Sequence, residues 1–256
     1  EKEAWSSTDG LNWKLEKQGL SFPERRWSNV LVHDNAIWLI GGQDNNSNFL
    51  KDIWFSNDGL NWEQMSSSTP FVSADFEVVS HNGQLYIVGG FDGASDSISY
   101  VNEVWVSSNG ADWVQQTSEA EFTARSNLEL VSFQGKMWVI GGSDGDVKAD
   151  IWSSENGVLW SLEKDEATFG LKWIYKVLNF QDKLLLVDNT DIWQSLDAVN
   201  WTLVSDDVEY PDSAVVDVKV HKDELILITN YWNETWSSKN GADWRFNKSI
   251  QFDLSQ

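Results

Sequence analysis

An eleven-residue phrase recurs six times along the 256-residue chain and limits its possible folds more tightly than any other feature. It reads acid, any residue, Trp, any residue, Ser, any residue, Asp or Asn, usually Gly, and a second Trp three residues past that Gly. The copies start at Glu3, Asp52, Glu103, Asp150, Asp191 and Glu234, and in the fifth Ala198 takes the Gly place. They hold twelve of the seventeen Trp, so most of the indole content belongs to architecture. The first Trp of successive copies are 49, 51, 47, 41 and 43 residues apart, a period typical of propeller blades or solenoid arrays.

Each phrase reads as two strands joined by a tight turn. Trp and Ser two apart share one strand face. The Asp/Asn-Gly step brings a side chain that bonds nearby backbone N–H groups and a residue that tolerates positive φ. On the returning strand, the second Trp buries large apolar area across the hairpin. An apolar run ending in Gly-Gly precedes most phrases: A-I-W-L-I-G-G from Ala36, Q-L-Y-I-V-G-G from Gln84 and K-M-W-V-I-G-G from Lys136, with degenerate forms from Lys183 and Glu224. Another short strand lies before each run, so a unit is four strands in roughly 40–50 residues. No stretch has helical periodicity, and the chain is predicted to be all-β.

Strand, Gly-Gly, loop, acid, Trp and closing Trp together resemble the kelch-type propeller repeat, the repeat of galactose-oxidase-like propellers. Arg25, Arg125 and Lys172 match the basic position of kelch repeats, each three residues beyond an aromatic, Phe22, Phe122 or Phe169. The Ser-x-Asp-Gly-x-x-Trp hairpin is also similar to the Asp box of sialidase-like propellers, although that box has one residue between Asp and Gly. What the resemblance implies is a single β-propeller domain over residues 1–256, with no particular chemistry attached.

The count gives a lone hairpin at 3–16 and blades at about 22–66, 71–117, 122–164, 169–205 and 210–248. The favoured expectation is a six-bladed plan with one incomplete blade, and the alternative is five blades with an extra N-terminal hairpin. A chain that opens Glu1-Lys2-Glu3 without an initiator Met reads as trimmed, and as a module of a larger chain or assembly.

The net charge of −22 argues against nucleic acid and anionic membrane as partners, because both need clustered Lys or Arg. No apolar run is long enough for a membrane helix. Cysteine is absent, which excludes disulfides and the Tyr–Cys crosslink of a copper-radical site. Four Asn-x-Ser/Thr sequons, at Asn45, Asn200, Asn233 and Asn247, point to a secreted or cell-surface protein.

Alignment of the repeats filters the catalytic candidates. His33, His81 and His221 share one turn position, so they read as turn residues and form no triad. The repeat acids are assigned to strand ends and turns. Of the acids outside the repeat, Asp92 joins a ligand surface, while Asp144 and Asp146 are weak metal candidates: two carboxylates in one loop are too few to define a calcium site. No catalytic constellation emerges and no cofactor is expected, calcium being the single ion suggested.

Propeller ligands meet loops at one mouth of the central channel. The loops after Gly-Gly are long at 43–51, 91–102 and 143–149, so this surface should be lopsided. The predicted ligand set is Arg25, Arg125, Lys172, Trp27, Phe91, Asp92, Trp173, Tyr231 and Trp232, where aromatics beside polar groups suit a sugar ring or a peptide. The leading function is non-catalytic recognition of a glycan or a protein. The alternatives are a carbohydrate-active enzyme, glycosidase or metal-dependent lyase, using loop carboxylates, and a structural module of a larger surface or secreted assembly.

Overall fold

The computed structural model describes residues 2–10, 12–71, 74–92, 99–173, 176–188, 191–206, 215–229 and 234–249. Strands β1 (Glu3–Ser6) and β2 (Lys14–Gln18) form a two-stranded hairpin. Blade one follows with β3 (Asn29–His33), β4 (Ala36–Ile40), β5 (Ile53–Ser56) and β6 (Glu63–Ser66). Blade two starts with β7 (Glu77–His81) and β8 (Gln84–Val88), and its loop carries the short pair β9 (Phe91–Asp92) and β10 (Ser99–Tyr100). It ends with β11 (Val104–Ser107) and β12 (Val114–Thr117). Blade three is β13 (Glu129–Phe133), β14 (Lys136–Ser143), β15 (Val147–Ser154) and β16 (Ser161–Lys164). Blade four is β17 (Lys176–Phe180), β18 (Lys183–Val187), β19 (Ile192–Ser195) and β20 (Trp201–Ser205). Blade five is β21 (Val215–His221), β22 (Glu224–Thr229), β23 (Glu234–Ser238) and β24 (Arg245–Ser249).

The protein is therefore an all-β propeller of five four-stranded antiparallel blades with an added N-terminal hairpin. This is the alternative blade count; the favoured sixth blade is represented among the described residues by two strands only.

Two hairpins build each blade. The inner one turns through two left-handed residues, as at Asp34 and Asn35 (φ 48° and 60°), the turn whose twist matches the flanking strands. In the outer one, Asp58 Oδ1 accepts from the backbone N–H of Leu60 (2.8 Å) and Asn61 (2.7 Å), and the Trp62 indole donates to the Gly59 carbonyl (3.0 Å). Asn109, Asp197 and Asn240 repeat the side-chain bonds. Glycine is mandatory in the second of these turns: a Cβ on Gly110 would fall 2.0 Å from the Trp38 ring.

The core lies between consecutive blades. Trp38, Ile40 and Ile53 of the first pack against Phe76, Leu85 and Ile87 of the second, and Trp138, Ile140 and Ile151 of the third against Val177, Leu184 and Trp201 of the fourth. Linker aromatics act as keystones. Phe22, Phe71, Phe122 and Phe169 set their edges against Trp62, Trp113, Trp160 and Trp201 at 5.1–5.7 Å. His33 and His81 end the inner strands and reach Ser80 and Ser132 of the following blade, each at 2.8 Å, so these histidines tie blades together.

Candidate functional site at the channel mouth

The basic residues expected to meet a ligand are turned inwards. Arg25 donates to both carboxylate oxygens of Asp52 (2.7 and 2.8 Å) and to the Gly41 carbonyl (2.8 Å). Arg125 repeats this with Asp150 (2.5 and 2.9 Å) and Gly141 (3.0 Å), and it also donates to the carbonyl and hydroxyl oxygens of Thr123. Lys172 pairs with Asp188 (2.7 Å) and Asp191 (2.5 Å). In blades one, three and four the basic residue thus clamps the repeat acid to the end of the Gly-Gly strand or to its connection. Arg25 and Arg125, as buried and saturated forks, brace the scaffold, while Lys172 keeps 21% of its side chain exposed beside its two carboxylates. The repeat acids, assigned from sequence to backbone donors, instead accept from these cations and from indoles, as Asp52 does from Trp54 (2.6 Å). Burial works to raise the carboxyls of Asp52 and Asp150, but the hydrogen bonds and charge of Arg25 and Arg125 together with the indole hydrogen bonds of Trp54 and Trp152 hold both below the usual range.

The remaining candidates divide. Phe91 packs edge-on against Phe49 at 5.7 Å, joining the long loops of the first two blades, with Asp92 beside it. Asp144 is paired with Lys148 at 2.9 Å, and the Asp146 N–H bonds back to Asp144, so this loop closes on itself. Trp173 is exposed near blade four. Tyr231 and Trp232 lie outside the described residues. Trp27 is 70% exposed, with the Arg26 guanidinium 4.3 Å from its ring centre.

Trp27 marks a cluster that the repeat filter overlooked. It occupies the residue two before an inner strand and has φ of 56°; Asp75 and Asn127 hold the same place in the next two blades with φ of 48° and 53°. All three are exposed and line one cleft of about 450 Å³, floored by Asn29 and Glu77 at the starts of β3 and β7. Below them, the first residues of the inner strands converge. Lys176 of blade four lies 3.6 Å from Glu77 of blade two and 3.3 Å from Glu129 of blade three, a meeting of non-adjacent blades that locates the axis.

Electrostatics here are unlike those of the rest of the molecule. Burial pushes Glu129 up to about 7; the Lys176 ammonium opposes this and the Glu77 carboxylate adds to it. Glu77 is raised chiefly by burial, and Lys176 is raised mainly by attraction to Glu129. Lys176 thus faces two carboxyls, and the nearby Asp217 is paired with a second cation, Lys219, at 3.1 Å. With its carboxyl raised to about 7, Glu129 can hold a proton near neutrality. Among the described residues, no group of three or more His, Cys, Asp or Glu side chains is arranged to hold a metal ion.

A family model described as the Kelch motif matches residues 73–106, which run from the approach to β7 through most of β11 in blade two. Together with the blade arrangement, the match supports a kelch-type propeller. No curated protein matches the chain in sequence.

Proposed function

We propose that this propeller is a non-catalytic recognition module that grips a basic segment of a partner protein at the channel mouth. The observation that carries the reading is Trp27. A bulky aromatic in the left-handed region costs about 1–2 kcal/mol and persists where the surroundings impose it, commonly at ligand sites. Trp27 recovers little of that cost by burial, since most of its ring faces solvent. Around it stand the carboxyls of Asp75 and Glu77, and the acidic balance of the whole chain draws cationic partners. Kelch propellers commonly serve as interaction modules, which is in keeping with this assignment.

A glycan is the second reading, favoured by the flat exposed ring of Trp27 beside Asn127 and Asp75. Secretion or surface display belongs to the same proposal and is supported by the four sequons. The test is parallel screening of the protein on a basic-peptide array and a glycan array, with Trp27→Ala and Asp75→Asn as controls. Saturable peptide binding lost in both variants supports the reading. Binding that both variants retain, or binding to glycans alone, would refute it.

A further inference from the structure

Four Asn-Gly steps occur in the sequence, at Asn82, Asn109, Asn156 and Asn240. Such a step can react with itself: the glycine backbone nitrogen, unhindered by a side chain of its own, attacks the asparagine Cγ. Three of the four lie in the outer hairpins of blades two, three and five, and there the fold blocks the attack. The N–H groups of Gly110, Gly157 and Gly241 donate to the hydroxyls of Ser107, Ser154 and Ser238 at 2.8–2.9 Å. The asparagine carbonyls are engaged further along the turn: Asn109 Oδ1 accepts from the N–H of Ala111 (2.9 Å), Asn156 Oδ1 from that of Val158 (3.0 Å) and Asn240 Oδ1 from that of Ala242 (2.9 Å). These three glycines are also buried against the preceding blade. A Cβ on Gly110 would overlap Trp38, and one on Gly157 or Gly241 would lie 3.0 or 3.1 Å from Val104 or Leu185.

Asn82 differs on each count. With Gly83 it forms the tip of the inner hairpin of blade two, at φ of 48° and 74°, and both residues are exposed. His81 pairs with Gln84 across this turn, so the Gly83 N–H stands outside the strand ladder. A Cβ on Gly83 would meet no described atom within 4 Å, which leaves room for the nitrogen to move and for water to follow. The amide nitrogen that would depart, Asn82 Nδ2, lies 3.0 Å from His81 Nε2 rather than on a backbone group.

We propose that Asn82 is a self-modification site, at which the folded protein deamidates selectively while its three other Asn-Gly steps are protected. The Gly83 nitrogen gives its proton to hydroxide and bonds to Asn82 Cγ. The Cγ–Nδ2 bond breaks, and Nδ2 takes a proton from water and leaves as ammonia. Water then opens the resulting succinimide at one carbonyl or the other, giving aspartate or isoaspartate at this position. The fold accommodates the first product, because blade one already has an aspartate there: Asp34, with Oδ2 3.6 Å from His33 Nε2. The second product adds a methylene to the backbone of a two-residue turn. It therefore strains the neighbouring His81, whose ring ties blade two to Ser132 (2.8 Å) and to the Glu155 carbonyl (3.1 Å) of blade three. The site lies at the opposite end of β7 from Glu77 and the Trp27 cleft.

The test is peptide mapping by mass spectrometry of the whole protein, sampled over time in mildly alkaline buffer with and without urea. In the folded protein Asn82 should convert about tenfold or more faster than Asn109, Asn156 or Asn240, the factor expected when a hydrogen bond must break before the held nitrogen can attack. In urea the four rates should draw together. Asn82→Gln copies the Gln134-Gly135 turn of blade three, so it should fold as the parent does and lose the fast conversion. Three results would each overturn the proposal: conversion of another Asn-Gly step as fast as Asn82 in the folded protein, an Asn82 that stays intact for as long as the unfolded chain takes to convert, or the same lead for Asn82 in urea, which would assign the rate to local sequence.

Discussion

Replacing Arg125 by Met tests whether the basic residue of the repeat belongs to the scaffold or to the recognition surface. The side chain is 1% exposed and satisfies five acceptor contacts: two on Asp150, two on Thr123 and one on Gly141. Its removal leaves the largely buried Asp150 carboxylate with the Trp152 indole (2.8 Å) as a remaining side-chain donor. Breaking a buried pair from one side costs about 3–5 kcal/mol, because the other charge stays desolvated. For a domain of this size that corresponds to a fall in Tm of about 6–20 °C. Urea denaturation followed by Trp fluorescence gives the free energy, and calorimetry gives Tm.

Two refinements sharpen the reasoning. Adding Asp150→Asn to Arg125→Met removes the stranded charge and should recover part of the loss. Asp150 has a depressed folded-state pKa, so its contribution is present above the unfolded value of 3.8 and disappears as pH falls through the lower folded value. The gap between parent and Arg125→Met should therefore narrow in acid. A loss below about 1 kcal/mol at neutral pH, or one that does not depend on pH, would show that the fork is not a brace and return Arg125 to the candidates for ligand contact.

Trp160→Ala or Trp201→Ala, both buried at blade interfaces, should cost about 3–5 kcal/mol by urea denaturation, and half-buried Trp62 less. Trp27→Asn should stabilise the fold by a fraction of about 1–2 kcal/mol, since Asn tolerates the left-handed region, while weakening partner binding; a destabilised variant would contradict the strain argument. Glu129 has a raised pKa, so the folded state holds its proton where the unfolded chain has lost it. Stability should fall as pH rises from about 4.5 to about 7, and Glu129→Gln should flatten that slope in a series of melts. Calcium at millimolar concentration should leave Tm unchanged, because Asp144 is already paired with Lys148; a saturable rise would reopen the loop as an ion site.

Most of the scaffold was legible because its chemistry repeats. Two Trp, a Ser and an Asp-Gly at fixed spacing predict a hairpin, and the hairpin formed at each described copy. The blade count was less legible: sequence spacing counts strands but does not say whether an outer hairpin has inner strands beside it. The pairing of Arg25, Arg125 and Lys172 with repeat acids was overlooked for an identifiable reason. Each keeps step with a repeat acid, at Asp52, Asp150 and Asp191, and locked spacing of opposite charges signals a brace as surely as it did for the acids set aside. The axial group was missed because position, not identity, recurs there: Asn29, Glu77, Glu129, Lys176 and Asp217 begin or lie near the start of inner strands, and a charged residue opening an apolar strand was the available signal.

The same logic explains why recognition belongs at the mouth. Along the outer hairpins Asp and Asn side chains are occupied with their own turns, and the interior cations are occupied with repeat acids, so the repeating parts of the molecule keep few polar groups for a partner. A partner must meet residues whose backbone is fixed by the repeat while their side chains are not. The left-handed place before the inner strands of blades one, two and three has that property. Its φ varies by only a few degrees between blades one, two and three, yet it carries Trp, Asp and Asn in turn. Rigid geometry holds the three side chains around one cleft, and the differences among them, an aromatic face, a charge and an amide, are what a ligand can read.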